Sequence, residues 1–465
     1  MTDRPSHDWS AAGTAKHFSI SDEDDSPAFV TPILDYAEAE RYVEELRKFE
    51  IEEVGSSGWM EQHRRLEKLN LQAHQSAISN SEEFVLEAFL TFQKLDVLIS
   101  ELLIIETWKE NVYPELLDRV AGRNSLRVYF VLYHEATLIN LFEVLLYHKH
   151  VLEAAGELSL ELVDYAARKL TRLQSGYDFR IFNPTSSMAT TSSLSTNSAG
   201  SDEEKAGLAA QKARELNEEL AKRTPQEDLA QHLTEIEFKV CISACTLARY
   251  LTEHADALPL NVVSRITDTH DYLMLVLPLI ENPPWTRRTD EGQWQKLVDY
   301  KWSEVAMIDL MKVTKLEGQP WIAVYNLIAK EIFRERYHIN SFRKGQLLRV
   351  RKFLNELILD QLPFLADIMR FMDELALREV GQDNQQNVFM LQQVAVEREK
   401  MIKGKNWTEV ADQQMETVFT MTDKDDTDIR KMADLYSDDL AEDVLDPLSQ
   451  SVFDAVDKEG EFEDL

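Results

Sequence analysis

Scarcity of glycine narrows the possible folds of this chain more than any other feature: 14 glycines in 465 residues. Barrels, sandwiches and dinucleotide-binding folds spend glycine at tight turns and phosphate loops, so the count argues against all three. Glu, Leu, Ala, Lys and Gln dominate, and each favours helix. A hydrophobic share of 44% is enough for a sizeable core. No strand pattern stands out, and the expected fold is all-α.

Helical periodicity is plain in places. Leu138, Leu141, Phe142, Leu145 and Leu146 fall on one face. Gly156 reads as a stop, and Ser159 as the cap of a following helix that carries Leu162, Tyr165, Ala166 and Leu170. Further helices are expected over 235–251, 320–328 and 344–359, the last with Leu347, Val350, Leu354, Leu357 and Ile358 on one face. Pro363 ends it, and Leu365, Ile368, Met372 and Leu375 follow. Helices of this length with short loops suggest an armadillo-like helical solenoid or helical array, with a globular bundle as the alternative.

Composition divides the chain. Residues 1–30 are polar and acidic, and read as disordered. Two halves of a helical domain follow over 31–180 and 205–380, separated by a low-complexity Ser/Thr-rich insertion at 181–204. Peripheral helices are expected over 381–420. From 421 to 465 the sequence carries about minus twelve net charges, and reads as an acidic tail in which Met432, Leu435, Tyr436 and Leu440 could form one docking helix.

The whole chain has a net charge of −33. Such a surface repels nucleic acid and anionic lipid, so no nucleic-acid partner is expected. Two cysteines cannot build a disulfide framework, which suits a reducing compartment. The opening MTDRPSHDWS lacks the basic and apolar regions of a signal peptide, and the most apolar run, Phe84 to Ile105, is broken by Glu87, Lys94, Asp96 and Glu101. No transmembrane segment is expected.

Nothing in the sequence argues for catalysis. His134-Glu135 opens like a zinc-protease motif, but Leu138 stands where the second histidine belongs. The pair reads as exposed or capping. Cys241 and Cys245 share a helix face in an apolar setting and read as small buried hydrophobes. Glu101, Glu106 and Glu110 read as parts of solvated faces. Trp59, Trp108, Trp321 and Trp407 read as packing residues. The candidate partner-binding residues form two groups. Trp285, Arg287 and Arg288 follow Pro283-Pro284 in a loop, where Trp285 is expected to serve as a surface contact. Arg343, Lys344, Arg349 and Arg351, with Lys352 beside them, make a basic cluster able to receive an acidic segment.

Five blocks carry a resemblance: GSSGWMEQHRRLEKLNLQA (Gly55 to Ala73), ELLIIETWKENVYP (Glu101 to Pro114), HEATLINLFEVLLYHK (His134 to Lys149), KLEGQPWIAVYNL (Lys315 to Leu327) and SFRKGQLLRVRKFLNELILDQLP (Ser341 to Pro363). With LVDYAARKL and PPWTRR, they resemble the zinc finger MYND domain-containing protein 10 family. The resemblance implies a cytoplasmic scaffold for building axonemal dynein arms, working near centriolar satellites or the ciliary base. It implies dynein chains as clients. Its implied partners are a leucine-rich-repeat assembly factor, a heat-shock chaperone and a prolyl-isomerase co-chaperone. The family ends in a Cys/His finger, whereas no cysteine follows Cys245 here, so the zinc and its finger are expected to be absent. The alternative function is a helical-solenoid adaptor in intracellular transport or trafficking.

Overall fold

The computed structural model describes residues 32–121, 125–175, 224–289, 292–378, 395–420 and 426–437. The expected disordered N-terminus, the Ser/Thr-rich insertion and the acidic stretch after 437 lie outside these residues. The first half comprises α1 (Tyr36–Glu45), α2 (Ser57–Ser79), α3 (Phe84–Thr91), α4 (Leu95–Asn111), α5 (Tyr113–Val120), α6 (Ser125–Leu145), α7 (Lys149–Ala155) and α8 (Ser159–Gln174). The second comprises α9 (Pro225–Glu253), α10 (Leu260–Ser264), α11 (Tyr272–Glu281), α12 (Lys315–Ala329), α13 (Glu331–Arg334), α14 (Ser341–Val350), α15 (Glu356–Gln361) and α16 (Leu365–Leu377). Three further helices follow: α17 (Glu397–Ile402), α18 (Trp407–Thr417) and α19 (Thr427–Ser437).

The helices form an array in which each packs on its neighbours. Helix α2 lies on α6, α6 on α9, α9 on α8 and α12, and α12 on α11 and α16. Helix α6 has the length and composition of a membrane span, yet 89% of its most apolar window is buried among its neighbours. It needs no polar face because partners cover it all round.

Local sequence explains the helix starts. Thr224 and Thr314 each accept a hydrogen bond from the backbone N–H three residues on, while Glu227 and Glu317 reach back to cap the threonine N–H groups. Asn340 caps α14 and Asn355 caps α15 by accepting from the backbone N–H three residues on, without a reciprocal bond. Gly156 takes φ of 51° where α7 ends, as its position suggested, but Ser159 makes no capping bond.

Two expectations are corrected here. A three-stranded antiparallel sheet stands between α11 and α12: β1 (Thr286–Arg288), β2 (Trp294–Val298) and β3 (Lys301–Val305). Asp299 and Tyr300 make the β2–β3 turn, both at positive φ, which matches the twist of the strands. Its sequence lacks the Asn-Gly or Asp-Gly signal that betrays such turns. The helix expected over 344–359 is also broken. It ends at Val350, tightens into a single turn over Arg351–Phe353, and restarts at Glu356 from the Asn355 cap. Leu357 consequently points to solvent.

Residues after 400 close over the first half. The Trp108 indole donates to Gln414 Oε1 at 2.9 Å, and the Gln414 amide donates to Ile51 O at 2.9 Å. Arg127, almost wholly buried, donates to both carboxylate oxygens of Asp426 at 2.5 and 2.7 Å and to Asp428 at 2.9 Å. Val418, Phe419, Ile429, Met432 and Leu435 are buried. Helix α19 carries Met432 and Leu435 of the docking helix anticipated as one option within the acidic tail and packs on α2, while Leu440 lies outside the described residues. Gly55 lies beneath this closure at φ of 81°, and a Cβ there would sit 3.1 Å from Val418 and 3.3 Å from Val131.

Candidate functional site

The sheet holds the first group of expected site residues. Trp285 is only 2% exposed, so its expected role as a surface contact is corrected: it is part of the core. Arg287 lies over the Trp302 ring at 4.0 Å and donates to Gln295 at 2.8 Å. Phe238 of α9 stacks on Trp302, tying the sheet to the array. Arg288 lies over Trp294 and donates to Gly292 O at 3.0 Å. These arginines stiffen the sheet through cation–π and hydrogen-bond contacts.

The second group gathers on α14 and its following turn. Arg343 pairs with Asp271 at 2.9 Å and covers Tyr337. Lys344 donates to the carbonyls of Ala376 and Arg378, satisfying the end of α16. Arg349 grips both oxygens of Glu281 at 2.7 and 2.6 Å, Lys352 stands 3.7 Å from the same carboxylate, and Arg351 pairs with Asp373. The structure brings the four expected cations together on α14 and the turn that follows it, but not with Trp285, Arg287 and Arg288.

Sequence reasoning missed a layer of buried charge at the centre of the array. Helix α4 supplies Lys109, α6 Glu135, α8 Lys169 and α9 Glu237. Lys109 Nζ is 2.6 Å from Glu135 and also pairs with Glu237; Lys169 Nζ is 2.6 Å from Glu135 and 3.4 Å from Glu237. All four side chains are at most 3% exposed. The Tyr165 hydroxyl donates to Glu135 at 2.6 Å, and Arg172 reaches Glu237 at 3.1 Å. Burial alone would raise the Glu237 pKa, but Lys109 and Lys169 outweigh it and hold the carboxyl well below its usual range. Glu106, also buried, takes Arg168 at 2.5 Å and Arg398 at 3.4 Å. The expectation that Glu106 lies on a solvated face is therefore corrected. A cleft of about 420 Å³ opens beside this layer between α5 and α9, within the range of small-ligand sites. Lys109, Lys169 and Glu237 on its wall are engaged with one another, so their geometry is that of a structural clasp joining four helices.

A second buried group lies between α2, α4 and α6. His63 and His134 meet through their Nδ1 atoms at 2.8 Å, so one donates and the other accepts. Glu101 accepts from the Trp59 indole at 3.1 Å and the Gln62 amide at 3.2 Å, and stands 3.4 Å from His134 Nε2. Burial pushes the Glu101 pKa to about 8 and drops that of His134 to about 3, so all three groups rest neutral near pH 7. Both the exposed reading of His134-Glu135 and the solvated reading of Glu101 are thus corrected. The legible signal was a charge set inside an otherwise apolar run.

For a zinc ion the fit is poor. Among the described residues no three His, Cys, Asp or Glu side chains are placed to share a metal. Cys241 and Cys245 are buried and free, and burial pushes both thiols up, Cys245 to about 12, where a thiolate ligand is disfavoured.

Together these features define a helical array clasped by inward-facing charges and closed by its own late helices. The chain is similar to the zinc finger MYND domain-containing protein 10 homolog of Drosophila melanogaster, 29% identical over 428 residues that cover 91% of this chain and 86% of the relative. That likeness supports assignment to the zinc finger MYND domain-containing protein 10 family. No family model matches the chain, and no solved structure does.

Proposed function

We propose that this chain is a non-catalytic scaffold for the cytoplasmic pre-assembly of axonemal dynein arms, which motile cilia need. The carrying observation is the similarity to the fly homolog across nine tenths of the chain, which spans both halves of the array. The physical reading agrees with it. Buried charges spent on one another stiffen a body that works by holding clients, with no bond made or broken. Dynein chains are the proposed clients. A leucine-rich-repeat assembly factor, a heat-shock chaperone and a prolyl-isomerase co-chaperone are the proposed partners, and they dock on the helical body.

Affinity purification of the tagged protein from ciliating cells, with mass spectrometry of its companions, tests this. Dynein heavy or intermediate chains arriving with chaperones are the expected result. Vesicle or cytoskeletal cargo in their place would overturn it in favour of a transport adaptor.

A further inference from the structure

Residues 336–355 contain six cations, Arg336, Arg343, Lys344, Arg349, Arg351 and Lys352, and no carboxylate, in a chain whose net charge is −33. The fold supplies three carboxylates against them: Asp271, Glu281 and Asp373. Glu281 is shared, held by both oxygens to Arg349 and only at 3.7 Å by Lys352, which remains 63% exposed. Arg336 is turned to Ser264 and Lys344 to the carbonyls that end α16, so the outward cations are Lys352, with no carboxylate of its own, and Arg349 and Arg351, which stay 57% and 46% exposed beside theirs.

The exposed stripe of α14 adds a second, independent observation. Phe342, Gly345 and Arg349 fall at i, i+3 and i+7 and share one side of the helix. Phe342 is 63% exposed. Gly345 lies inside the helix with an ordinary negative φ, and a Cβ built on it would meet no atom within 4 Å. Among the described residues nothing requires glycine there, although glycine in a helix interior is among the least favourable choices. A bare strip of backbone between an aromatic ring and a guanidinium suits the close approach of another chain.

We propose that this face of α14, with the Arg351–Phe353 turn, is a docking site for an acidic segment of a partner protein. An apolar side chain of that segment lies on Phe342 across Gly345, and its carboxylates reach Arg349, Arg351 and Lys352. Charge complementarity selects the occupant, because the surplus here is positive while the rest of the chain is strongly negative. The site does not depend on the dynein reading and would stand if that reading failed.

The test uses the full-length protein and two labelled peptides, one of repeating Glu-Glu-Leu and one of repeating Gln-Gln-Leu, followed by fluorescence polarisation. Binding of the Glu peptide alone, weakening as salt rises, is expected. Gly345→Gln should weaken it roughly tenfold while the thermal midpoint holds or rises, since the substitution fills only solvent and favours helix. Arg349→Glu should weaken it by a similar factor. Equal binding of both peptides, or unchanged binding by Gly345→Gln, would overturn the proposal. So would carbodiimide cross-linking of Lys352 to residues 438–465 or to a second copy, which would give the face to the protein itself.

Discussion

Substituting Arg127 by Ala probes how the late helices are held. The guanidinium is 6% exposed and Asp426 is 2% exposed, so the pair sits away from water. Removing the cation while α19 stays docked strands a buried carboxylate, which costs about 3–5 kcal/mol. Detachment of α19 relieves that penalty by returning Asp426 to water, at the expense of Ile429, Met432 and Leu435, each contributing about 1.5–3 kcal/mol of burial. Detachment also returns conformational entropy to the freed residues, which opposes that loss, so local release of α19 competes with keeping the stranded charge. The expected outcome is a fall in global stability of a few kcal/mol by urea denaturation, together with fast hydrogen exchange over 427–437. Arg127→Met with Asp426→Leu should recover part of the loss, because the deeply buried carboxylate is removed with its cation, while Asp428, 13% exposed, still loses its partner. Acid gives a second view. Burial pushes the Asp426 pKa up, but Arg127 outweighs it and the folded value is depressed. Its contribution is present above the unfolded carboxylate value and lost as pH falls through the folded one. If Arg127→Ala costs less than about 1 kcal/mol and leaves 427–437 protected, the closure does not rest on this pair.

Other outcomes follow from the buried groups. Glu237→Ala leaves Lys109 and Lys169 with one carboxylate between them and should cost about 3–5 kcal/mol in a urea titration. Glu101 has a folded pKa of about 8, above its unfolded value, so its stabilisation is complete below pH 4.5 and is lost as pH rises to 8. Glu101→Gln should therefore raise the urea midpoint relative to the parent more at pH 8 than at pH 5. His134 works in the opposite direction: its depressed pKa of about 3 means stability is lost as pH falls below 6.5, so His134→Gln should blunt that loss. Cys241 and Cys245 should react with a thiol reagent only at the rate of unfolding, and rapid labelling of the native protein would contradict their burial.

The array was legible where one face of a helix is apolar and the other polar. That pattern located α8 and α16. It failed where the environment is three-dimensional. Glu101, Glu106 and Glu135 look like solvent-facing charges because their partners lie on other helices: Lys169 is 34 residues from Glu135 in sequence, and Arg168 is 62 from Glu106. No local pattern encodes such pairs. The α14–α15 break was hidden because Leu354 keeps the helical spacing while Asn355, two residues into the gap, offers its side chain as a new cap. The sheet was hidden because its tight turn uses Asp299-Tyr300. The basic cluster was legible as composition, yet its ion pairs with α11 and α16 were not.

The closure by residues after 400 also sets an order of events during synthesis. Trp108 waits for Gln414, 306 residues later, and Arg127 waits for Asp426, 299 residues later. Until both have left the ribosome, the first half displays an indole and a guanidinium whose partners do not yet exist. Contacts of such range slow folding and lengthen exposure to aggregation. A nascent chain stalled or cut short before residue 414 would not merely lack a terminus: its earliest helices would be left unfinished, a natural object for the quality-control machinery of the cell.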